Sequence, residues 1–126
     1  MSALKDLKIL VVDDCPENQF RFYHLLVKRG AQVAFASDGL EGADLALSGA
    51  YDIVLMDIEM PVMDGFEAMG KLKDSSYNRP VIALTAHSKA VTGEKMYSSG
   101  FAGHVTKPIE ISELVETILS LAGPRS

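Results

Sequence analysis

Cysteine is nearly absent from this chain of 126 residues, in which Cys15 is the single thiol. One cysteine excludes an internal disulfide framework and any zinc site built from several cysteines. Disulfides are typical of secreted domains, so their exclusion fits a reducing compartment. We therefore expect a soluble, cytoplasmic protein.

Long apolar runs are also lacking. Every run is far shorter than the roughly 20 residues that a membrane-spanning helix needs. The N-terminal residues Met1–Asp6 contain no apolar signal-peptide core. The sequence predicts no contact with a membrane.

Basic charge is scarce as well. Lysine and arginine number 12 against 17 acidic residues, which leaves a formal net charge of −5. A nucleic-acid binder or a polybasic membrane anchor needs a basic surface, so both classes are excluded. The chain is 48% hydrophobic and 23% charged, which is ordinary for a folded domain and unlike a disordered one. This length predicts one domain spanning residues 1–126.

Short apolar runs indicate five strands. Three runs are continuous and suit strands covered on both faces, and two are weaker. The strong runs are Lys8–Val12, Ile53–Met56 and Val81–Leu84, and the weak ones are Gln32–Ala36 and Gly103–Thr106.

Amphipathic stretches between these runs predict five helices. The first lies between Pro16 and Gly30, which suit a helix start and the residue past its end. Ser37 or Asp38 caps a second helix that runs to about Ser48, with Gly49 as the stop after it. The remaining three are predicted over Gly65–Lys73, Ser88–Ser98 and Ile111–Leu119. Alternating strands and helices predict an α/β fold, with a parallel sheet and helices on both of its faces.

Acidic residues follow two of the strong strands. In such sheets ligands bind beyond the carboxyl ends of the strands, where Asp13, Asp14 and Asp57 stand. If they converge, their repulsion requires a proton or a cation, and Mg²⁺ prefers such oxygen ligands. The alternative is that Asp13 or Asp14 only caps the following helix.

Thr85 and Lys107 follow two further strands. A hydroxyl and an ammonium that face a cation form a site for an anion with several oxygens, such as a phosphoryl group. Asp57 is then a candidate nucleophile that forms an acyl phosphate. The alternative is that both are ordinary strand-end residues. The Lys107–Pro108 bond is predicted to be trans from base rates alone.

Four motifs together resemble the response-regulator receiver domain of two-component phosphorelays. They are Val11–Asp14, Met56–Gly65, Leu84–Ala86 and Thr106–Pro108, in the order and spacing of that family. The resemblance implies a flavodoxin-like, doubly wound five-stranded sheet in the order 2-1-3-4-5. The segment Met56–Gly65 is similar to receivers found on hybrid sensor kinases.

The resemblance also implies roles for individual residues. Asp57 accepts a phosphoryl group from a phosphohistidine on a sensor histidine kinase or a histidine phosphotransfer protein. Asp14, Asp57 and the backbone carbonyl of Glu59 bind Mg²⁺, and Asp13 acts through a metal-bound water. Thr85 and Lys107 contact phosphoryl oxygens, and the Lys107–Pro108 bond is cis.

Further family positions concern switching and lifetime. His104 stands where the family usually has an aromatic switch residue, so it is either a switch or an ordinary strand residue. Glu59 and His87 flank the path of an attacking water and are expected to set the rate of self-dephosphorylation. The phosphodonor is expected to dock at Pro16, Asn18, Gln19 and the loop of Pro108 and Ile109.

Three functions compete. The first is a phosphoacceptor signalling module, which is not an enzyme beyond catalysing its own phosphorylation and dephosphorylation. The second is a phosphohydrolase with an aspartyl-phosphate intermediate, which in the haloacid-dehalogenase family needs an Asp-x-Asp motif after the first strand. Here Asp13 and Asp14 are adjacent. The third is a pseudo-receiver that works without phosphorylation, although such proteins usually lack one of the five key residues that are all present here.

Overall fold

Five parallel strands form one sheet in the order β2-β1-β3-β4-β5, as predicted. A computed structural model of the chain describes residues 3–58, 63–85 and 97–122. The predicted strands are confirmed, and two extend one residue further, to Asp57 and Thr85. Their bounds are β1 Lys8–Val12, β2 Gln32–Ala36, β3 Ile53–Asp57, β4 Val81–Thr85 and β5 Gly103–Thr106.

Four helices lie within the described residues: α1 Pro16–Val27, α2 Gly39–Ser48, α3 Gly65–Asp74 and α4 Ile111–Ala122. The predicted helix over Ser88–Ser98 falls largely outside these residues, but the backbone at 97–99 is helical. Among the helices of the described segments, none combines the length and apolarity needed to cross a membrane.

Local sequence signals explain where the helices begin and end. Pro16 occupies the first turn of α1, where a missing N–H costs nothing. Asp38, rather than Ser37, caps α2 by accepting from the Glu41 N–H at 2.8 Å. Helix α1 ends at Val27, earlier than predicted, and Gly30 adopts φ 97° in the turn into β2.

The sheet separates two apolar cores because alternate strand side chains point to opposite faces. On one face Leu10 and Met56 pack with buried residues of α2 and α3, such as Ala43. On the other face Ile9 and Leu55 pack with buried residues of α1 and α4. Cover on both faces explains why β1, β3 and β4 read as continuous apolar runs.

Candidate functional site

The carboxyl ends of the strands bring the predicted acidic residues together. Asp13 follows β1 and Asp57 ends the neighbouring strand β3, so both side chains lie at the same edge. Carboxylate oxygens of Asp13, Asp14 and Asp57 all lie within 4.8 Å of one another. Asp13 and Asp57 are buried, whereas Asp14 is exposed. The predicted convergence is confirmed, and one side of the cluster is open to solvent.

Lys107 joins this cluster from β5. Its backbone N–H donates to the Thr85 carbonyl at 2.7 Å, which fixes its place beside the end of β4. The Lys107 Nζ then lies 2.9 Å from Asp57 Oδ2. The Lys107–Pro108 bond is cis, as the receiver resemblance implies and contrary to the base-rate prediction. The Thr85 side chain is fully buried at the same edge.

Asp13 is held in place by the start of α1. Its Oδ1 accepts from the Cys15 N–H at 2.9 Å, and its Oδ2 lies 3.2 Å from the Asn18 side-chain amide. The Gln19 side-chain amide donates to the Asp13 carbonyl at 2.6 Å. The alternative that Asp13 or Asp14 caps α1 is wrong, since Cys15 is the N-cap residue and no side chain caps it.

This support for Asp13 was missed at the level of sequence. Asn18 and Gln19 were predicted only as part of a docking surface. The available signal was their position in the first turn after the strand end, from which short amide side chains reach back to Asp13. Neutral amides satisfy an acceptor without neutralising its charge. When Asp13 is ionised, its negative charge therefore has to be balanced by another group.

Burial raises the pKa of the Asp13 carboxyl above its ordinary value, because the ionised form loses water. The backbone N–H of Cys15 opposes this rise, and the nearby charge of Asp57 adds to it. Lys107 and Asn18 act in the lowering direction but do not cancel it. The ionised cluster is therefore electrostatically unfavourable without a further positive charge.

The donor set fits a hard divalent cation. Among the described residues, three carboxylates face one ammonium group, so their ionised forms leave two negative charges in excess, which matches the charge of Mg²⁺. All three offer oxygen, the atom type that Mg²⁺ prefers, and exposed Asp14 leaves room for the waters that this ion keeps. Asp13, Asp14 and Asp57 are therefore suited to hold Mg²⁺.

A groove of about 260 Å³ lies beside the cluster, between α1 and the segment after β5. Asn18, Lys107, Pro108 and Ile109 line it, together with Arg21 and apolar side chains of α1. The expected docking residues Asn18, Pro108 and Ile109 are thus adjacent to one another. Pro16 and Gln19 are not among the lining residues.

Three further positions were predicted from the family resemblance, and one of them lies within the described residues. His104 is half-buried on β5, its ring 6.0 Å from the ring of Tyr97 at an angle of 77°. Its Nδ1 is buried and has no hydrogen-bond partner among the described residues. Glu59 and His87 lie outside the described residues, as does the Glu59 carbonyl.

The combination of fold and site defines a class of protein. Residues 9–119 match the response regulator receiver domain family, and the chain belongs to this family. Its doubly wound sheet is therefore of the receiver type, and its role lies in two-component signalling. A phosphoacceptor function fits this family, and neither competing function is favoured.

Particular relatives include both large kinases and a small regulator. Hybrid signal transduction histidine kinase I of Dictyostelium discoideum is 38% identical over 88% of the chain, which spans 7% of that protein. The polar-differentiation response regulator DivK of Brucella anthropi is 34% identical, with 91% of this chain and 95% of DivK covered.

A solved structure is similar over nearly the whole chain. It is the receiver domain of the sensor histidine kinase PA1611 from Pseudomonas aeruginosa, at 30% identity and a TM-score of 0.85. The match covers 94% of this chain and 98% of that one. That structure was determined with a magnesium ion coordinated in its active-site cleft.

Proposed function

We propose that this chain is a Mg²⁺-dependent phosphoacceptor whose Asp57 takes a phosphoryl group from a phosphohistidine. One observation carries the proposal. Asp57 is buried, lies within 4.8 Å of two further carboxylates, and has the Lys107 ammonium 2.9 Å from its Oδ2. A carboxylate in such surroundings is both a possible nucleophile and a metal ligand.

Asp13, Asp14 and Asp57 would hold the Mg²⁺, and the proposed ligand set also includes the backbone carbonyl of Glu59. When bound, the ion supplies positive charge that offsets the negative charge of the carboxylates and of the incoming phosphoryl group. Asp13 contributes charge from a fixed position, since Cys15 and Asn18 hold its carboxylate.

The transfer is a substitution at phosphorus. A carboxylate oxygen of Asp57 forms the new O–P bond while the N–P bond of the phosphohistidine breaks. The electron pair of that bond leaves with the imidazole of the donor, which takes up a proton. The product on this chain is an acyl phosphate, and hydrolysis of its O–P bond regenerates the Asp57 carboxylate. The protein catalyses both steps on itself and acts on no separate substrate.

Lys107 and Thr85 stabilise the transferred group. The Lys107 ammonium, which now contacts Asp57 Oδ2, would pair with a phosphoryl oxygen, since a charge-assisted contact to a phosphate is strong. The Thr85 hydroxyl would donate to another phosphoryl oxygen from its buried position at the end of β4. These contacts strengthen as charge develops on the phosphoryl oxygens.

His104 is the proposed switch residue. Phosphorylation draws Thr85 towards the phosphoryl group and opens space beneath it, into which the His104 ring turns. His104 is half-buried, and its ring contact with exposed Tyr97 links this movement to the surface. Replacement by phenylalanine tests the role. We expect His104→Phe to keep phosphorylation and to change the phosphorylation-dependent shift of the Tyr97 ring signals in NMR spectra.

The donor is proposed to be a sensor histidine kinase or a histidine phosphotransfer protein. The groove lined by Asn18, Arg21, Pro108 and Ile109 lies beside Lys107 and combines apolar side chains with a guanidinium. Such a surface suits a protein partner whose apolar anchor is surrounded by polar contacts. Pro108→Ala and Ile109→Ala should slow transfer from the protein donor while sparing transfer from acetyl phosphate.

Intact-mass measurement after incubation with Mg²⁺ and acetyl phosphate tests the central proposal. We expect one added phosphoryl group on the wild type and none on Asp57→Asn. A modified Asp57→Asn variant would show that the acceptor is misassigned. Because a receiver that dephosphorylates itself also turns over acetyl phosphate, a phosphohydrolase would be favoured by hydrolysis of phosphate monoesters. An unmodified wild type would favour a pseudo-receiver.

A further inference from the structure

We infer that Gly39, the first residue of α2, is a positioning residue for the phosphoacceptor Asp57. It has no part in the contacts of the carboxylate cluster described above. Its lack of a side chain allows the backbone at Met63 to lie close to α2, and this close approach fixes where Asp57 points. The inference rests on the proposed function and adds a residue to the machinery of that site.

Gly39 and Met63 are in direct backbone contact. The Gly39 N–H donates to the Met63 carbonyl oxygen at 3.0 Å. A Cβ atom on Gly39 would lie 2.2 Å from that same oxygen and 2.9 Å from its carbon. Real Cβ atoms do not come this close, and a backbone carbonyl cannot rotate away as a flexible side chain can. Any side chain at Gly39 therefore displaces Met63 or α2.

Met63 has little freedom to absorb such a displacement. The next residue, Asp64, forms a capping box with Glu67, which fixes it to the first turn of α3. The Gly65 N–H then donates to the Ile58 carbonyl at 3.2 Å. A Cβ on Gly65 would lie 2.6 Å from the Ile58 Cα and 2.8 Å from the Asp57 carbonyl oxygen. The backbone at Gly65 is thus packed directly against Asp57 and Ile58.

These contacts form a continuous path from α2 to the acceptor. Gly39 touches Met63, the capping box holds the following residue, and Gly65 touches the backbone of Asp57. A shift imposed at Met63 therefore passes to the residue that carries the nucleophile. Since metal ligands tolerate little misplacement, residues that orient them alter affinity without touching the ion.

Two other glycines provide matched controls. Gly49 follows the last residue of α2, at the end of the helix opposite Gly39, and a Cβ there would lie 2.4 Å from Cε2 of the Tyr51 ring. Gly70 lies within α3, and a Cβ there would meet nothing within 4 Å. Gly49→Ala thus imposes a clash away from the site, and Gly70→Ala imposes none.

The deciding measurement is the affinity for Mg²⁺. It is measured by calorimetric titration at a temperature at which all variants are folded. We expect Gly39→Ala to bind Mg²⁺ about tenfold more weakly than the wild type, the size of effect typical of residues that orient metal ligands. Its rate of phosphorylation by acetyl phosphate should fall in parallel. Gly49→Ala and Gly70→Ala should keep the wild-type affinity, even if Gly49→Ala is less stable. Wild-type affinity in Gly39→Ala, or an equal loss in Gly49→Ala, would overturn the inference.

A second measurement uses the wild type and does not depend on folding of the variant. If the contact between Gly39 and Met63 orients the site, binding at the site must in turn strengthen that contact, because coupling is reciprocal. Mg²⁺ should therefore slow hydrogen exchange of the Gly39 amide. It should leave unchanged the exchange of the Gly49 amide, which bonds the Leu45 carbonyl at 2.8 Å. An unchanged Gly39 amide would contradict the inference.

The same experiments separate the two claims. If the wild type becomes phosphorylated and Gly39→Ala does so equally fast, the positioning role is wrong and the proposed function stands. If the wild type binds Mg²⁺ but accepts no phosphoryl group, the proposed function is wrong and the positioning role, which concerns Asp57 in the phosphoacceptor, is wrong with it.

Discussion

The two ends of the sheet differ in the polarity of their buried side chains. At the carboxyl end stand Asp13, Asp57 and Thr85, which are the buried polar or charged residues in the described parts of the chain. At the amino end the apolar core is closed by Leu4 and Leu7, both buried. The sheet therefore has buried leucines at the amino ends of its strands and buried polar and charged side chains at the carboxyl ends.

Carboxylates at the two ends have different partners. At the amino end Asp52 Oδ2 accepts from the Lys8 N–H at 2.8 Å, and the Asp52 N–H donates to the Lys8 carbonyl at 2.7 Å. At the carboxyl end Asp13 and Asp57 lie close to each other, and burial raises the pKa of Asp13. Asp52 therefore stabilises the fold, whereas the ionised form of Asp13 is unfavourable in its buried position until a cation is bound.

The largest expected effect concerns Lys107, the lysine at the carboxyl end. Lys107→Ala should slow phosphorylation by acetyl phosphate about 100-fold, the loss typical of removing one donor from a developing negative charge. Lys71→Ala is the matched control, because its Nζ contacts Asp44 at the same distance of 2.9 Å on the exposed surface between α2 and α3. Initial rates from intact mass measure both. A similar rate for Lys107→Ala and Lys71→Ala would contradict the role assigned to Lys107.

Replacing an acid at the carboxyl end and replacing one at the amino end should change the free energy of unfolding in opposite directions. Without Mg²⁺, Asp13→Asn should raise the free energy of unfolding by on the order of 1 kcal/mol, the repulsion of two charges a few ångströms apart with water nearby. Asp52→Ala should lower it by about 1 kcal/mol through loss of the hydrogen bond from Lys8. Urea unfolding measures both. Changes of the same sign would contradict the contrast between the ends.

The increase in the free energy of unfolding caused by Asp13→Asn should depend on pH. A carboxyl whose pKa is raised on folding contributes stability below its ordinary pKa and loses that contribution as the pH rises through the folded value. This gain should therefore be largest above the raised pKa of Asp13, where the carboxyl is ionised, and should shrink as the pH falls and Asp13 becomes protonated. A gain that stays constant down to pH 3 would exclude the charge of Asp13 as its cause.

A smaller effect is expected from Tyr77 before β4, at the amino end. Its hydroxyl is buried and lacks a hydrogen-bond partner within the described ranges, and burial raises the pKa of the phenol. Since an unpaired buried hydroxyl is unfavourable, Tyr77→Phe should raise the free energy of unfolding by about 0.5–1 kcal/mol. Thermal and urea unfolding test this, with exposed Tyr97→Phe as the control. Destabilisation would show that the hydroxyl has a partner.

The smallest expected changes concern Glu59 and His87, which the family resemblance predicts to flank the path of an attacking water. Glu59→Ala and His87→Ala should keep the phosphorylation seen in the wild type and should change the half-life of the acyl phosphate. Decay of the phosphorylated mass after removal of the donor gives this half-life. Half-lives equal to that of the wild type in both variants would remove the two residues from the account of dephosphorylation.

Much of the fold was predictable because the strands are buried on both faces. Continuous apolar runs such as Ile53–Met56 and the regular face of α4 are strong local signals. The end of α1 was less predictable, since Gly30 indicates a turn but does not fix how many residues separate it from the helix. The choice of Asp38 over Ser37 as a cap also depends on the geometry around Glu41.

The site was predictable in its residues but not in its contacts. Asp57 and Thr85 end their strands and Asp13 and Lys107 directly follow theirs, so the parallel topology alone places all four at one edge. The hydrogen bonds of Asn18 and Gln19 to Asp13 depend on how α1 leaves that edge, which no local pattern encodes. The cis bond before Pro108 followed from the family resemblance, whereas base rates for X–Pro bonds favour trans.

The sequence by itself determined the alternation of strands and helices and the acidic, hydroxyl and lysine residues at the strand ends, because these follow from local apolar patterns and from chain order. Only the tertiary structure decided that Gly39 on α2 lies against the backbone at Met63, and that Asp52 binds a backbone N–H whereas Asp13 lies beside another carboxylate. Contacts between segments distant in the chain depend on the packing of the whole fold, which the local pattern of residues does not specify.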